Sequence, residues 1–401
     1  MNVPEKPIRV LYSFPHKLGA DRICYTAWNQ VNGLAEAGAE VLAFPGVLHR
    51  PVADSVKIWP TMAWGKLRVS YKLLGTMRAC ALHDYIVARR IEKLVGKIDL
   101  IHGWCLGSLR TFRTARRLGI PTFIERANVH TRFVYEAVQK ECDRIGVLLP
   151  HNHEYAFKAK VLAKEELEYD AADYLLCPSD FVAKTFRDNH VPERKLIRHI
   201  YGFDEKRFFP DAAPRDNKRG LTVIFVGVCA VLKGLHFALE AWLRSPASRD
   251  GTFLIAGKFI PQYAEKLAPM LAHPSVKRLG QRNDVPELMR NSDILLFPTI
   301  AEGFGLVVAE AIGSGCVPLV SDACTDIVRD GANGFVHHVA DVGRLSEQIT
   351  QLHENRNLLQ AMRQACLADA PGLTWTAAGR RLLHAYCTAL DGSAKRLPSS
   401  Q

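Results

Sequence analysis

The 401-residue sequence has no run approaching the ~18–20 uninterrupted apolar residues that a membrane-spanning helix needs. The longest candidate, residues 221–232, is too short and reads as a buried strand with the turn after it. The start, MNVPEKPIRVLYSF, carries charge where a signal peptide needs its apolar stretch, so a cytoplasmic location is expected. There is no C-x-x-C pair among the ten cysteines and no His/Cys cluster, which excludes a disulfide framework or a zinc site and leaves buried, reduced thiols. The group HNHE at 151–154 fits no zinc-helix spacing and reads as polar surface, so no metal is expected. A G-x-G-x-x-G fingerprint is missing after the first strand, which argues against an ordinary NAD site. Disorder is excluded by a hydrophobic content of 48%.

What is present is unevenly charged. Residues 1–200 hold 30 Lys+Arg against 21 Asp+Glu, and the remainder 22 against 20, so most of the formal net charge of +11 belongs to the front half. Its basic stretches, KLRVSYKLLGTMR (66–78), ARRIEKLVGK (88–97) and RTFRTARR (110–117), follow Trp59 and Trp64. Basic, apolar and aromatic residues interleaved in this way fit peripheral binding to an anionic membrane as well as they fit a solvated basic face. No nucleic-acid motif accompanies the charge, and no nucleic-acid partner is expected.

Both halves repeat one grammar of short β-branched or aromatic run, turn and helix-like stretch. Strands are expected at 8–14, 40–44, 100–104, 122–125 and 174–178, then again at 222–226, 252–256, 277–279, 294–298 and 317–321. Helices are expected at 29–38 and 109–118, each ending near a Gly. Such alternation implies an α/β protein with parallel sheets covered on both faces. The Pro-rich, charged stretch 204–220 divides it into an amino domain (1–203) and a carboxyl domain (221–374), with 375–401 as a helical stretch and a disordered tail. Ligands in such sheets bind beyond the carboxyl ends of the strands, so the two domains would enclose a cleft.

The chemistry concentrates in SDILLFPTIAEGFGLVVAEAIGSGCVPLVSD. A buried strand runs into Glu302-Gly303-Phe304-Gly305, and a helix carrying Glu310 starts there. The glycines allow close backbone approach, and the helix start offers unpaired N–H groups and the positive end of its dipole, which together suit a phosphate. Glu302 and Glu310 cannot bind phosphate but can accept hydrogen bonds from sugar hydroxyls on either side of it. The combination suggests a nucleoside-diphosphate sugar.

This segment resembles the E-x7-E signature of glycosyltransferase family 4, retaining enzymes with the GT-B fold. FVGVCAVLKGLHFALEAW resembles that family's first carboxyl-domain strand, turn and helix, with Gly227, Lys233 and Gly234 in place. GQRNDVPELMRNSDILLFPT, DIVRDGANGFV, PSDFV (178–182) and YGFDEKRFFP (201–210) are similar to further family segments. The resemblance implies two Rossmann-like domains, with the helical stretch from Trp375 crossing back to the amino domain.

It also implies the roles of individual residues. Glu310 would hold the ribose and Glu302 the sugar ring. Lys233 and the backbone of Gly303, Phe304, Gly305, Leu306 and Val307 would hold the diphosphate. Gly227, Gly257 and Arg282 would lie near the donor, and Gly19 in PHKLGAD (15–21) would face its phosphate. His130 would be the active-site histidine, with His102 as a second histidine on the cleft side. Arg126 would hold an acidic acceptor or a phosphate. The family's usual Arg is replaced here by Val228 or Leu232.

The implied reaction moves a sugar, with retention, from a nucleotide-sugar donor to a saccharide or lipid-linked acceptor in polysaccharide, lipopolysaccharide or glycolipid synthesis, without a cofactor. A non-catalytic nucleotide-sugar-binding subunit and a nucleotide-sugar epimerase are the alternatives.

Overall fold

The computed structural model describes residues 6–64, 67–69, 71–211 and 220–394, and within these the two stretches of alternation form two parallel sheets. The amino sheet contains β1 (Arg9–Leu18), β2 (Glu40–Leu48), β3 (Lys57–Ile58), β4 (Leu100–Trp104), β5 (Thr122–Glu125), β6 (Tyr174–Cys177) and β7 (Leu196–Arg198). They lie in the order β3-β2-β1-β4-β5-β6-β7. The carboxyl sheet contains β8 (Thr222–Val226), β9 (Thr252–Ala256), β10 (Val276–Gly280), β11 (Ile294–Phe297), β12 (Val317–Ser321) and β13 (Phe335–His337). Its order is β10-β9-β8-β11-β12-β13, and every pairing within the two sheets is parallel. Strands β4, β5, β11 and β12 are buried along their whole length, as a sheet with helices on both faces requires.

Several strands keep their expected bounds, but β1 does not stop at residue 14. It continues through Leu18 beside β2, with a register irregularity between Phe14 and Lys17. The expected loop at 15–21 therefore shrinks to the turn after Leu18. The short strands β3, β7 and β13 have two or three residues and carry no readable period. The helix expected from residue 29 begins at Ile23, its first turn closed by Tyr25 stacking on Trp28 at 5.7 Å.

The two domains are joined by backbone as well as by side chains. Phe203 N–H donates to the Leu373 carbonyl at 2.9 Å, and Trp375 N–H donates back to Phe203 at 3.3 Å. The helix Trp375–Ala394 lies against Ile23–Glu36 of the amino domain. Their backbones meet at Gly33 and Gly379, where a Cβ on Gly379 would sit 2.4 Å from the Gly33 carbonyl carbon. The inner part of the expected linker (212–219) and the tail (395–401) lie outside the described residues. Among the described residues, no helix is long and apolar enough to cross a membrane. The ten cysteines are all free, and seven of them are buried.

The carboxyl ends of the strands face one another across a cleft. There the loop after β11 touches the loop after β5: a Cβ on Gly303 would lie 1.9 Å from the Ala127 carbonyl oxygen. Other contacts bridge the domains nearby. His236 Nε2 stands 2.7 Å from Glu141 Oε1, and Phe304 packs edge-on to Tyr201 at 5.6 Å.

Candidate active site

Two loops of the carboxyl domain are pinned together to make the site. Thr299 Oγ1 donates to the Leu232 carbonyl at 2.8 Å, Ile300 N–H donates to the same oxygen at 2.9 Å, and Ser321 Oγ donates to the Thr299 carbonyl. Gly234 completes the join. It has φ 67°, and a Cβ there would sit 1.8 Å from the Pro298 carbonyl oxygen. A left-handed backbone against a neighbouring strand end leaves glycine as the residue that fits.

The join puts Lys233 beside Glu302. Their side chains form an ion pair with relative exposures of 21% and 16%, and the ammonium lies 5.3 Å over the Phe297 ring. Burial alone would lower the Lys233 ammonium, but the Glu302 carboxylate outweighs it and raises it, so the lysine is charged at neutral pH. Glu302 also accepts the Gly303 amide at 3.1 Å.

Gly305 caps the next helix, Leu306–Gly313, in a left-handed conformation with φ 71°. Among the described residues, the amides of Gly305, Leu306 and Val307 find no acceptor, which is the anion-receptive state of a helix start. One turn on, the Glu310 carboxylate has no hydrogen-bond partner among the described residues. Burial pushes it up to about 7, with Arg207 opposing and Asp204 adding to the shift.

Other expected site residues have structural surroundings of their own. Phe304 is buried against Tyr201, so its side chain anchors the loop rather than facing a ligand. Gly257 lets two strand ends close on each other, since a Cβ there would stand 1.7 Å from the Gly227 carbonyl oxygen. Gly227 has φ 146° with open space beside it, while its amide donates to Ala256 at 3.1 Å. Arg282 is exposed and forks onto Asp284. Leu232 is buried and Val228 exposed, so neither position supplies a substitute cation.

In the amino domain, Gly19, His130 and His102 are not among the residues that line the cleft cavity. The Gly19 amide donates to the Cys24 carbonyl at 3.0 Å and is engaged within its own turn. His130 is the N-cap of the helix Thr131–Ile145, its Nδ1 accepting the Arg132 N–H at 3.2 Å. The ring packs on Phe186 at 5.1 Å and Tyr169 at 5.5 Å and lines a side cavity with Asn189 and Lys195, not the cleft. Burial, followed by the charges of Arg126 and Arg132, holds that imidazole down to about 4. A histidine buried beside two arginines satisfies its helix rather than the cleft. His102 is fully buried, bonded to Tyr386 at 2.6 Å and stacked on Tyr12 at 4.3 Å, and so belongs to the junction with the last helix.

The cleft cavity beside Glu302 has a volume of about 430 Å³. Its walls include Trp104, Glu125, Arg126, Glu154 and Tyr155. Tyr155 and Glu154 come from a segment without periodicity; the HNHE group is largely exposed, as a polar surface would be, and its Glu154 borders the cavity from there. Glu125 carried a signal that passed unread, namely a carboxylate closing the apolar strand TFIE. Among the described residues, no group of His, Cys, Asp and Glu is arranged to hold a metal ion.

Comparison with known proteins gives the following. A family model described as glycosyl transferases group 1 matches residues 220–355. The D-inositol 3-phosphate glycosyltransferase of Nocardia farcinica is 31% identical over 338 residues, covering 78% of this chain and 71% of that protein. The lipopolysaccharide glucosyltransferase WaaG of Escherichia coli is 33% identical over 144 residues, covering 34% of this chain and 36% of its own. Among solved structures, Anabaena HepE in complex with UDP superposes with a TM-score of 0.63 at 15% identity, covering 95% of this chain and all of that one. The fold is therefore GT-B.

Proposed function

Because the chain belongs to the glycosyl transferases of group 1, we propose that it moves a sugar from a nucleoside-diphosphate sugar to an acceptor hydroxyl with retention at the anomeric carbon. The observation that carries this reading is the Lys233–Glu302 pair beside the unpaired amides of Gly305 to Val307, with Glu310 unpartnered in the same helix. In this scheme the helix start and Lys233 receive the diphosphate, Glu302 the hydroxyls of the transferred sugar, and Glu310 the ribose hydroxyls.

During transfer the bond from the anomeric carbon to the diphosphate oxygen breaks, and a new bond forms from that carbon to the acceptor oxygen. The acceptor's proton passes to the leaving phosphate, and Lys233 and the amides stabilise the charge that develops there. Front-face attack is the path that the family resemblance implies, and Glu125, one of the carboxylates lining the cavity, is already engaged. It accepts from Gln30 at 2.8 Å and Tyr201 at 2.7 Å and lies 3.1 Å from His199.

For the nucleotide, the solved complex of HepE holds UDP, which makes uracil the base to test first. Calorimetric titration of UDP, GDP and ADP is expected to show micromolar binding of one of them. Binding of none would remove the donor site from this reading and bring the non-catalytic one forward.

The acceptor is proposed to be a saccharide or lipid-linked saccharide, as the name of WaaG indicates for that relative. A membrane-facing amino domain fits the exposed surface. Leu73 is 87% exposed, and Tyr85 and Trp59 are exposed beneath Arg110 at 5.9 Å and Arg90 at 5.3 Å. Lys66 and Ser70 of this stretch lie outside the described residues. In flotation assays the protein is expected to rise with vesicles containing anionic lipid and to stay behind with neutral ones. Equal recovery with both would remove the membrane part.

A further inference from the structure

The charge of the cleft wall restricts what can be glycosylated. Apart from Glu302, every residue lining the cavity comes from the amino domain, so this is the wall that meets an acceptor. The wall carries three carboxylates, Glu125, Glu154 and Glu165, and Glu302 faces them from the other domain, against one guanidinium, Arg126. That guanidinium is already tied to its own domain: Nη1 donates to Glu165 at 3.3 Å, Nε to the Val129 carbonyl at 3.1 Å and Nη2 to Thr131 at 3.1 Å. His16, the remaining basic side chain on the wall, is held below its ordinary range by burial and is neutral at pH 7. Lys233 is not among the lining residues and Arg126 is paired with Glu165, so an incoming anion meets an excess of carboxylates over cations.

What the wall does offer is suited to a neutral ring. Among the described residues, the Glu154 carboxylate and the Tyr155 hydroxyl have no hydrogen-bond partners. Trp104 is fixed by donating to Tyr12 at 2.8 Å, and Ile23, Leu106 and Val134 supply apolar surface. Acceptors for hydroxyl protons set among aromatic and apolar faces fit a sugar ring, which has hydroxyls at its edge and C–H groups on its faces.

Resting on the glycosyltransferase reading above, we propose that the acceptor presents an uncharged, hydroxyl-bearing sugar ring to this wall, and that a phosphorylated or carboxylated ring is excluded from it. A phosphate here would lie among carboxylates in a partly desolvated cavity, and like charges so placed oppose binding strongly.

The test uses the full chain with the donor base identified by titration. Methyl glucoside and methyl galactoside are offered alongside their 6-phosphates and the matching methyl uronosides, and products are measured by mass spectrometry. The neutral rings are expected to be preferred by at least about tenfold in kcat/KM. Glu154→Gln, at an exposed position with no partner to lose, is expected to narrow that ratio severalfold. Equal or faster transfer to a charged ring would overturn the inference. So would transfer to none of the neutral rings by a protein that binds its diphosphate. If no diphosphate binds at all, the reading of function has failed and this inference falls with it; the titration separates that case from the other two.

Discussion

Lys233→Ala is expected to slow sugar transfer by on the order of 10²–10³-fold, with most of the loss in kcat rather than KM. In the proposed reaction the ammonium faces the place where the leaving diphosphate gains charge, so its contribution would grow along the reaction and be largest in the transition state. Two features make the effect large. The family's usual arginine is absent, with Val228 exposed and Leu232 buried in its place, which leaves Lys233 as the cation paired with Glu302. Its pairing with Glu302 also keeps the ammonium charged in a partly buried site.

The substitution leaves Glu302 without its cation, so a loss of stability is expected as well. Lys233→Ala combined with Glu302→Gln separates the two effects, because the double variant regains stability without regaining rate. A kcat within threefold of the wild type in a folded Lys233→Ala protein would remove the lysine from the chemistry.

The affinity for an intact nucleotide sugar is expected to rise with pH from about 5 to about 7 and to level off above it. Burial pushes the Glu310 carboxyl up to about 7 from its ordinary 4.5. The empty protein therefore holds a proton there that the unfolded chain has lost, and Glu310 costs stability as pH rises from 4.5 towards 7. Ribose hydroxyls donate to the ionised form, so binding releases that proton below pH 7 and gains up to about tenfold per pH unit. An intact nucleotide sugar is the proper probe, because its diphosphate is a diester with no proton to exchange in this range. Glu310→Gln is expected to flatten the profile and to lower affinity about tenfold at pH 8. A flat profile in the wild type would mean that Glu310 does not meet the ribose.

Much of the carboxyl domain was legible because its signals are local. The strands at 222–226, 252–256 and 317–321 announce themselves as short apolar runs bounded by turns. Glu302, Gly305 and Glu310 lie on one strand-loop-helix, and their spacing in sequence nearly fixes their spacing in space. The amino domain was harder to read. His130 and His102 both end or follow strands, yet one turns into a helix cap and the other into a hydrogen bond with Tyr386 from the far end of the chain. The loop that holds Gly19 is shorter than expected, because β1 runs on through Leu18 beside β2.

The sequence by itself determined the two parallel sheets and the strand-loop-helix that carries Glu302 and Glu310, because each rests on composition and period over a few consecutive residues. Only the tertiary structure decided which amino-domain groups reach the cleft. Tyr155 and Glu154 enter it while His130 does not, and Arg126 meets Glu165 across 39 positions rather than standing free. Those outcomes depend on which side of a strand end each side chain leaves and on what has already bonded it, and both are set by segments far apart in the chain.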